Sequence, residues 1–113
     1  MSRKASGLKA WAIQRGTAIY IAIYAIYLIL KLGFAAPDDH VAWRAWLGDP
    51  VVGVGMLVFV AALLIHAWIG VRDVILDYVW HTGARVGVLA LVALVLVGSG
   101  LWAAQVLTLA RIV

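Results

Sequence analysis

Hydrophobic residues in this chain gather in three long runs rather than in an alternating or amphipathic pattern. Residues 16–36 carry one charge, Lys31, near the far end of the run, where an ammonium can snorkel to the interface. Residues 51–71 and 86–110 carry no formal charge at all. Each run reaches the roughly 20 apolar residues that a helix needs to cross a bilayer. The pattern predicts an all-α integral membrane protein. Its three transmembrane helices fall at about 16–36, 51–73 and 86–110, within one domain spanning residues 1–113. Gly98-Ser99-Gly100, in the middle of the third, would let another helix backbone approach closely. The basic start and the small pair Ala35-Ala36 also fit a signal peptide. The first run, however, is longer than the usual h-region of about 7–15 residues and contains three tyrosines, so a retained helix is expected.

The connections are short. Pro37-Asp38-Asp39 opens the first and Gly48-Asp49-Pro50 closes it. Between them, Trp43 and Trp46 fit an aromatic belt on a short helix lying in the interface plane. The second connection, residues 72–85, holds Asp73, Asp77, Tyr78 and His81. Lysine and arginine set the orientation. Arg3, Lys4, Lys9, Arg15, Arg72 and Arg85 fall on one side, against Lys31, Arg44 and Arg111 on the other. The expected topology is N-in and C-out, with residues 72–85 in the cytoplasm.

Composition narrows the class. Hydrophobic residues make up 66% of the 113, and charged residues 12%, where soluble domains carry roughly 25% charged residues. Mean hydropathy is +1.07. With no cysteine the chain supplies no disulfide, thiolate ligand or iron–sulfur cluster. The net charge of +4 sits at the ends of the apolar runs, which marks membrane orientation and argues against a nucleic-acid partner.

The stretch His66-Ala67-Trp68-Ile69-Gly70 through Asp77-Tyr78-Val79 stands out. His66 is the only histidine in any of the three runs, and an ionisable side chain at membrane depth marks a functional site by default. On a helix, His66, Gly70, Asp73 and Asp77 form one stripe, with Asp77 about 17 Å along the axis from His66. Two readings of His66 stand side by side. The imidazole either hydrogen-bonds a neighbouring helix, because an unsatisfied polar group in hydrocarbon is costly, or it ligates a haem iron. The chain has no second histidine at similar depth, so a bis-histidine haem would draw its other ligand from another subunit.

Asp77 and Tyr78 can be an ordinary interfacial pair, or they can serve a quinone, whose carbonyl oxygens accept hydrogen bonds and take protons on reduction. Arg15 can be an orientation anchor, or its planar fork can hold haem propionates. Tyr20, Tyr24 and Tyr27 form a packing stripe whose hydroxyls should find partners. His40 and His81 are expected in solvated loops, and no histidine pair has metal-ligand spacing.

These residues resemble a known family. His66-Ala67-Trp68-Ile69-Gly70, followed by Asp77-Tyr78-Val79, is similar to the small hydrophobic membrane anchors of succinate dehydrogenase, respiratory complex II, of the cytochrome b556 type. Arg15-x-Thr17-Ala18-Ile19 at the start of the first apolar run and the three-span layout extend the likeness over the whole chain. The resemblance implies that His66 is an axial ligand of haem b, with the other ligand on a second membrane anchor of the same complex. It implies that Tyr78, with Asp77 beside it, serves ubiquinone, and that Arg15 lies near the propionates. Trp11 and Ala12 stand where family members often carry polar residues.

It further implies a complex with a flavoprotein bearing FAD and an iron–sulfur subunit, both on the cytoplasmic side of a bacterial inner membrane. This chain would then supply no catalytic residue and have no activity alone. The alternatives are an anchor of fumarate reductase or another b-type cytochrome, and a non-redox helical scaffold.

Overall fold

The computed structural model describes residues 3–112, which form four helices: α1 (Arg3–Phe34), α2 (His40–Gly48), α3 (Pro50–Tyr78) and α4 (Thr82–Ile112). The side chains of Arg3 and Lys4, two of the cations counted for orientation, lie outside the described residues. Three helices, Gly7–Phe34, Pro50–Tyr78 and Thr82–Ile112, are long and apolar enough to cross a membrane. The all-α, three-span expectation therefore holds, and the short helix expected around Trp43 and Trp46 is present as α2.

The boundaries differ from those the apolar runs predict. The basic stretch 3–15 is helical, α3 runs on through Arg72, Asp73 and Asp77, and the connection expected over 72–85 shrinks to residues 79–81. An apolar run measures the hydrocarbon crossing, whereas a helix continues into the polar region as long as its residues tolerate it. Arg, Lys and Gln do so readily. At 1.5 Å per residue the 32 residues of α1 extend about 48 Å, well beyond a hydrocarbon core of about 30 Å.

Helix α3 is the middle of the assembly. It packs against α1 on one side and α4 on the other, and among the described residues α1 and α4 do not meet. Its start is fixed by Asp49, whose Oδ1 accepts from the backbone N–H groups of Val51 (3.0 Å) and Val52 (3.1 Å), followed by Pro50 in the first turn. Asp39 caps α2 in the same way, accepting from Ala42 at 2.7 Å. The end of α2 presses on the end of α4: a Cβ on Gly48 would fall 2.8 Å from the carbonyl oxygen of Ala110.

Few side chains are buried. Among the described residues the buried ones are Gly53, Ala62, Ile69 and Ile75 on α3 and Leu107 on α4. Most other large apolar side chains face outward, as suits membrane-spanning helices whose surroundings are lipid rather than water. Of the two glycines expected to admit another helix, Gly98 opens on empty space. The side chain of Leu64 occupies the room left by Gly100, where a Cβ would come within 2.5 Å of its Cδ1.

Candidate functional site: a histidine presented to a cleft between α1 and α3

A polar stripe runs along the middle of α1, most of it facing α3. Gln14, Thr17, Tyr20, Tyr24 and Tyr27 recur every three or four residues, which places them on one side of a helix. The Tyr20 hydroxyl donates to the carbonyl of Gly55 (2.8 Å), and that of Tyr24 donates to the carbonyl of Val52 (3.0 Å). Tyr27 accepts from the indole of Trp46 on α2 at 3.0 Å. The tyrosine stripe is thus the packing face expected of it. Gly55 makes it possible, because a Cβ there would sit 2.7 Å from the ring of Tyr24.

The first two members of the stripe act on His66. Gln14 Nε2 donates to the backbone carbonyl of His66 at 3.3 Å, and Thr17 Oγ1 lies 3.1 Å from His66 Nδ1. Thr17 Oγ1 also lies within reach of its own helix, 2.8 Å from the carbonyl of Ile13 and 3.1 Å from that of Gln14. A hydroxyl has one hydrogen and two lone pairs. Thr17 accepts from His66 when Nδ1 carries the proton. In the neutral imidazole, Nε2 is then left with its lone pair.

Half-buried His66 lines a cleft of about 520 Å³ between α1 and α3. Ala10, Ala18 and Ile69 supply apolar wall, and Trp11, Gln14, Arg15, Arg72 and Asp73 supply the rest of its chemistry. Arg15 is exposed and sits over the Trp11 ring, 5.9 Å from its centroid. Arg72 bonds Asp73 through one terminal nitrogen at 3.2 Å. Its Nε, and Gln14 Oε1, are buried without a partner. Buried orphans of this kind are rare and call for an explanation.

Asp77 and Tyr78 stand apart from the cleft, on the last turn of α3. Both are exposed, Tyr78 by 75%, and neither makes a side-chain hydrogen bond among the described residues. Arg85 holds the turn beneath them. Its Nε donates to the carbonyl of Val79 (3.0 Å) and its terminal nitrogen to that of Leu76 (3.2 Å), so it caps carbonyls that a helix end leaves free. His81 Nδ1 accepts from Ala84 N–H at 3.1 Å and starts α4, and His40 is the first residue of α2. Of the residues expected at a site, His66 and Arg15 share the cleft, whereas Asp77 and Tyr78 do not reach it. The chain's residues fit a haem on chemical grounds: an imidazole whose Nε2 makes no hydrogen bond among the described residues, an apolar wall and two guanidinium groups beside it.

Fold and site together define a small helical membrane subunit that offers one imidazole from its central helix to a cation-lined cleft. Residues 1–106 match the family described as the succinate dehydrogenase/fumarate reductase transmembrane subunit. The chain is 34% identical over 105 residues to the succinate dehydrogenase hydrophobic membrane anchor subunit of Coxiella burnetii (strain RSA 493 / Nine Mile phase I), covering 93% of this chain and 91% of the relative. It is 38% identical over 78 residues to the protein of the same name from Rickettsia felis (strain ATCC VR-1525 / URRWXCal2), covering 67% of this chain and 63% of the relative. The chain belongs to the succinate dehydrogenase/fumarate reductase transmembrane subunit family.

Proposed function

We propose that this chain is the small hydrophobic anchor, of the cytochrome b556 type, of a bacterial succinate:quinone oxidoreductase. In that reading it holds the flavoprotein and iron–sulfur subunits, with their FAD and iron–sulfur clusters, to the cytoplasmic face of the inner membrane. His66 is one axial ligand of haem b, and the second membrane anchor of the complex provides the other. Arg15 and Arg72 hold carboxylates at the mouth of the cleft, and Tyr78 with Asp77 binds the ubiquinone headgroup. Both relatives carry the name of succinate dehydrogenase, which favours succinate oxidation over fumarate reduction.

The observation that carries this reading is the hydrogen-bond state of His66. An imidazole that merely satisfied itself in the bilayer could use either ring nitrogen. Here Nδ1 meets the Thr17 hydroxyl at 3.1 Å and the residue lines the cleft; with the proton on Nδ1, this is the arrangement that metal-ligating histidines adopt. When bound, haem b supplies a reversible one-electron centre. The protein side of the work is to present Nε2, neutralise carboxylates and keep water from the apolar wall.

A reduced-minus-oxidised spectrum of membranes carrying the complex tests this. His66→Ala removes a ligand and adds no charge, so the helix should insert and haem b should be lost or weakened. Native haem content with an unaltered bis-histidine spectrum would overturn the assignment. Topology is tested separately. Reporter fusions after Ile112 and within residues 38–49 should read outside, and one at His81 inside. A cytoplasmic signal after Ile112 would remove the quinone site from the side of its electron-delivering partners.

A further inference from the structure

We infer that Thr17 is a positioning residue for the haem ligand, fixing which nitrogen of His66 is available and how strongly it donates. The inference rests on the reading of His66 as that ligand. It starts from three facts: Thr17 is on α1, His66 is on α3, and the contact between them is a side-chain pair at 3.1 Å. A threonine inside a helix commonly turns its hydroxyl back on its own carbonyls, and that alone would be a local structural habit. In this chain the same hydroxyl also meets Nδ1; with Nε2 given to the iron the proton sits on Nδ1, so the hydroxyl keeps its hydrogen for Ile13 and offers Nδ1 a lone pair.

Gln14, one turn earlier, fastens the same residue by its backbone carbonyl at 3.3 Å. His66 is therefore held from one helix at two points, its ring at Nδ1 by Thr17 and its backbone carbonyl by Gln14. An acceptor on Nδ1–H makes the imidazole a more basic ligand. A more basic ligand favours the ferric over the ferrous state and lowers the midpoint potential. Thr17 thus bears on both haem affinity and potential without touching the iron.

The test compares Thr17→Val, Thr17→Ala and Thr17→Ser with wild type, in the assembled complex in membranes. Thr17→Val keeps the shape and removes the acceptor. Expected is a loss of haem affinity of about ten- to a hundredfold, the usual range for outer partners of metal ligands. The haem that remains should show a raised midpoint potential and a shifted low-spin ferric signal. Thr17→Ala should do the same without β-branched bulk, and Thr17→Ser should restore content and potential. Wild-type content and potential in Thr17→Val overturn the proposal. So does failure of both Thr17→Val and Thr17→Ala to assemble, which marks a structural residue. His66→Ala in the same series separates the two ideas. Native haem there defeats the haem reading itself, whereas loss there with wild-type behaviour in Thr17→Val defeats only the role of Thr17.

Discussion

His66 and Tyr78 lie on the same helix, three turns apart, and the chain treats them in opposite ways. Around His66 two contacts are already made from within. α1 supplies an acceptor for Nδ1 and a donor for the carbonyl, and two arginines stand at the cleft. Around Tyr78 only the backbone is fixed, by Arg85, and the phenol projects with three-quarters of its surface exposed. Preorganising a ligand side chain matters most where geometry is exacting, as at a metal. A headgroup pocket shared among subunits is better left open until they meet. On this view the α1–α3 pair carries a finished half of one site, and the turn after α3 carries an unfinished part of another.

The comparison breaks most visibly if His66→Ala leaves haem in place. The next largest effect belongs to Tyr78. Removing one hydroxyl that donates to a quinone oxygen should cost roughly 1–3 kcal/mol when the acceptor is left unpaired in a dry pocket. At ~1.4 kcal/mol per factor of ten, Tyr78→Phe should lower quinone-reductase turnover by about ten- to a hundredfold. Succinate oxidation with an artificial acceptor at the flavin should hold, as should haem content. Both activities falling together would make Tyr78 an assembly residue, and neither falling would leave it an interfacial tyrosine.

The contrast between the two regions also explains what could be read from the chain alone. The three spans were legible because hydrocarbon excludes charge over a fixed length, and His66 was legible as the one histidine that breaks the exclusion. The ends of the helices were not, since nothing in an apolar run reports how far a helix continues past it. The clamp on His66 depends on the register of α1 against α3, which periodicity within one helix does not set. A signal for it was nevertheless present: the tyrosine stripe extends backwards at the same spacing to Thr17 and Gln14. Arg72 counted only as an orientation charge, because its place beside Gln14 in the cleft exists only once the helices pack.

The smallest expected effect is the sharpest test of the unfinished end. Arg85→Lys keeps the charge that orients the loop but replaces a planar fork with a compact ammonium, so the fixed geometry that reaches the carbonyls of Leu76 and Val79 together is lost. Each such bond contributes about 0.5–1.5 kcal/mol, and at a helix end water takes up part of the loss. The last turn of α3 should therefore fray without melting. Amide exchange at Val79, whose N–H bonds the carbonyl of Ile75 at 2.9 Å, should quicken. Quinone-reductase turnover should fall by less than about tenfold, because Tyr78 is still present and the partner subunits still order it on contact. Haem content and potential should not move, since Gln14 and Thr17 hold His66 from a different helix. If Arg85→Lys lowers turnover as far as Tyr78→Phe does, Arg85 acts on the quinone or a partner directly. If it shifts the haem, the two regions are coupled, and the division between a finished half and an unfinished one does not hold.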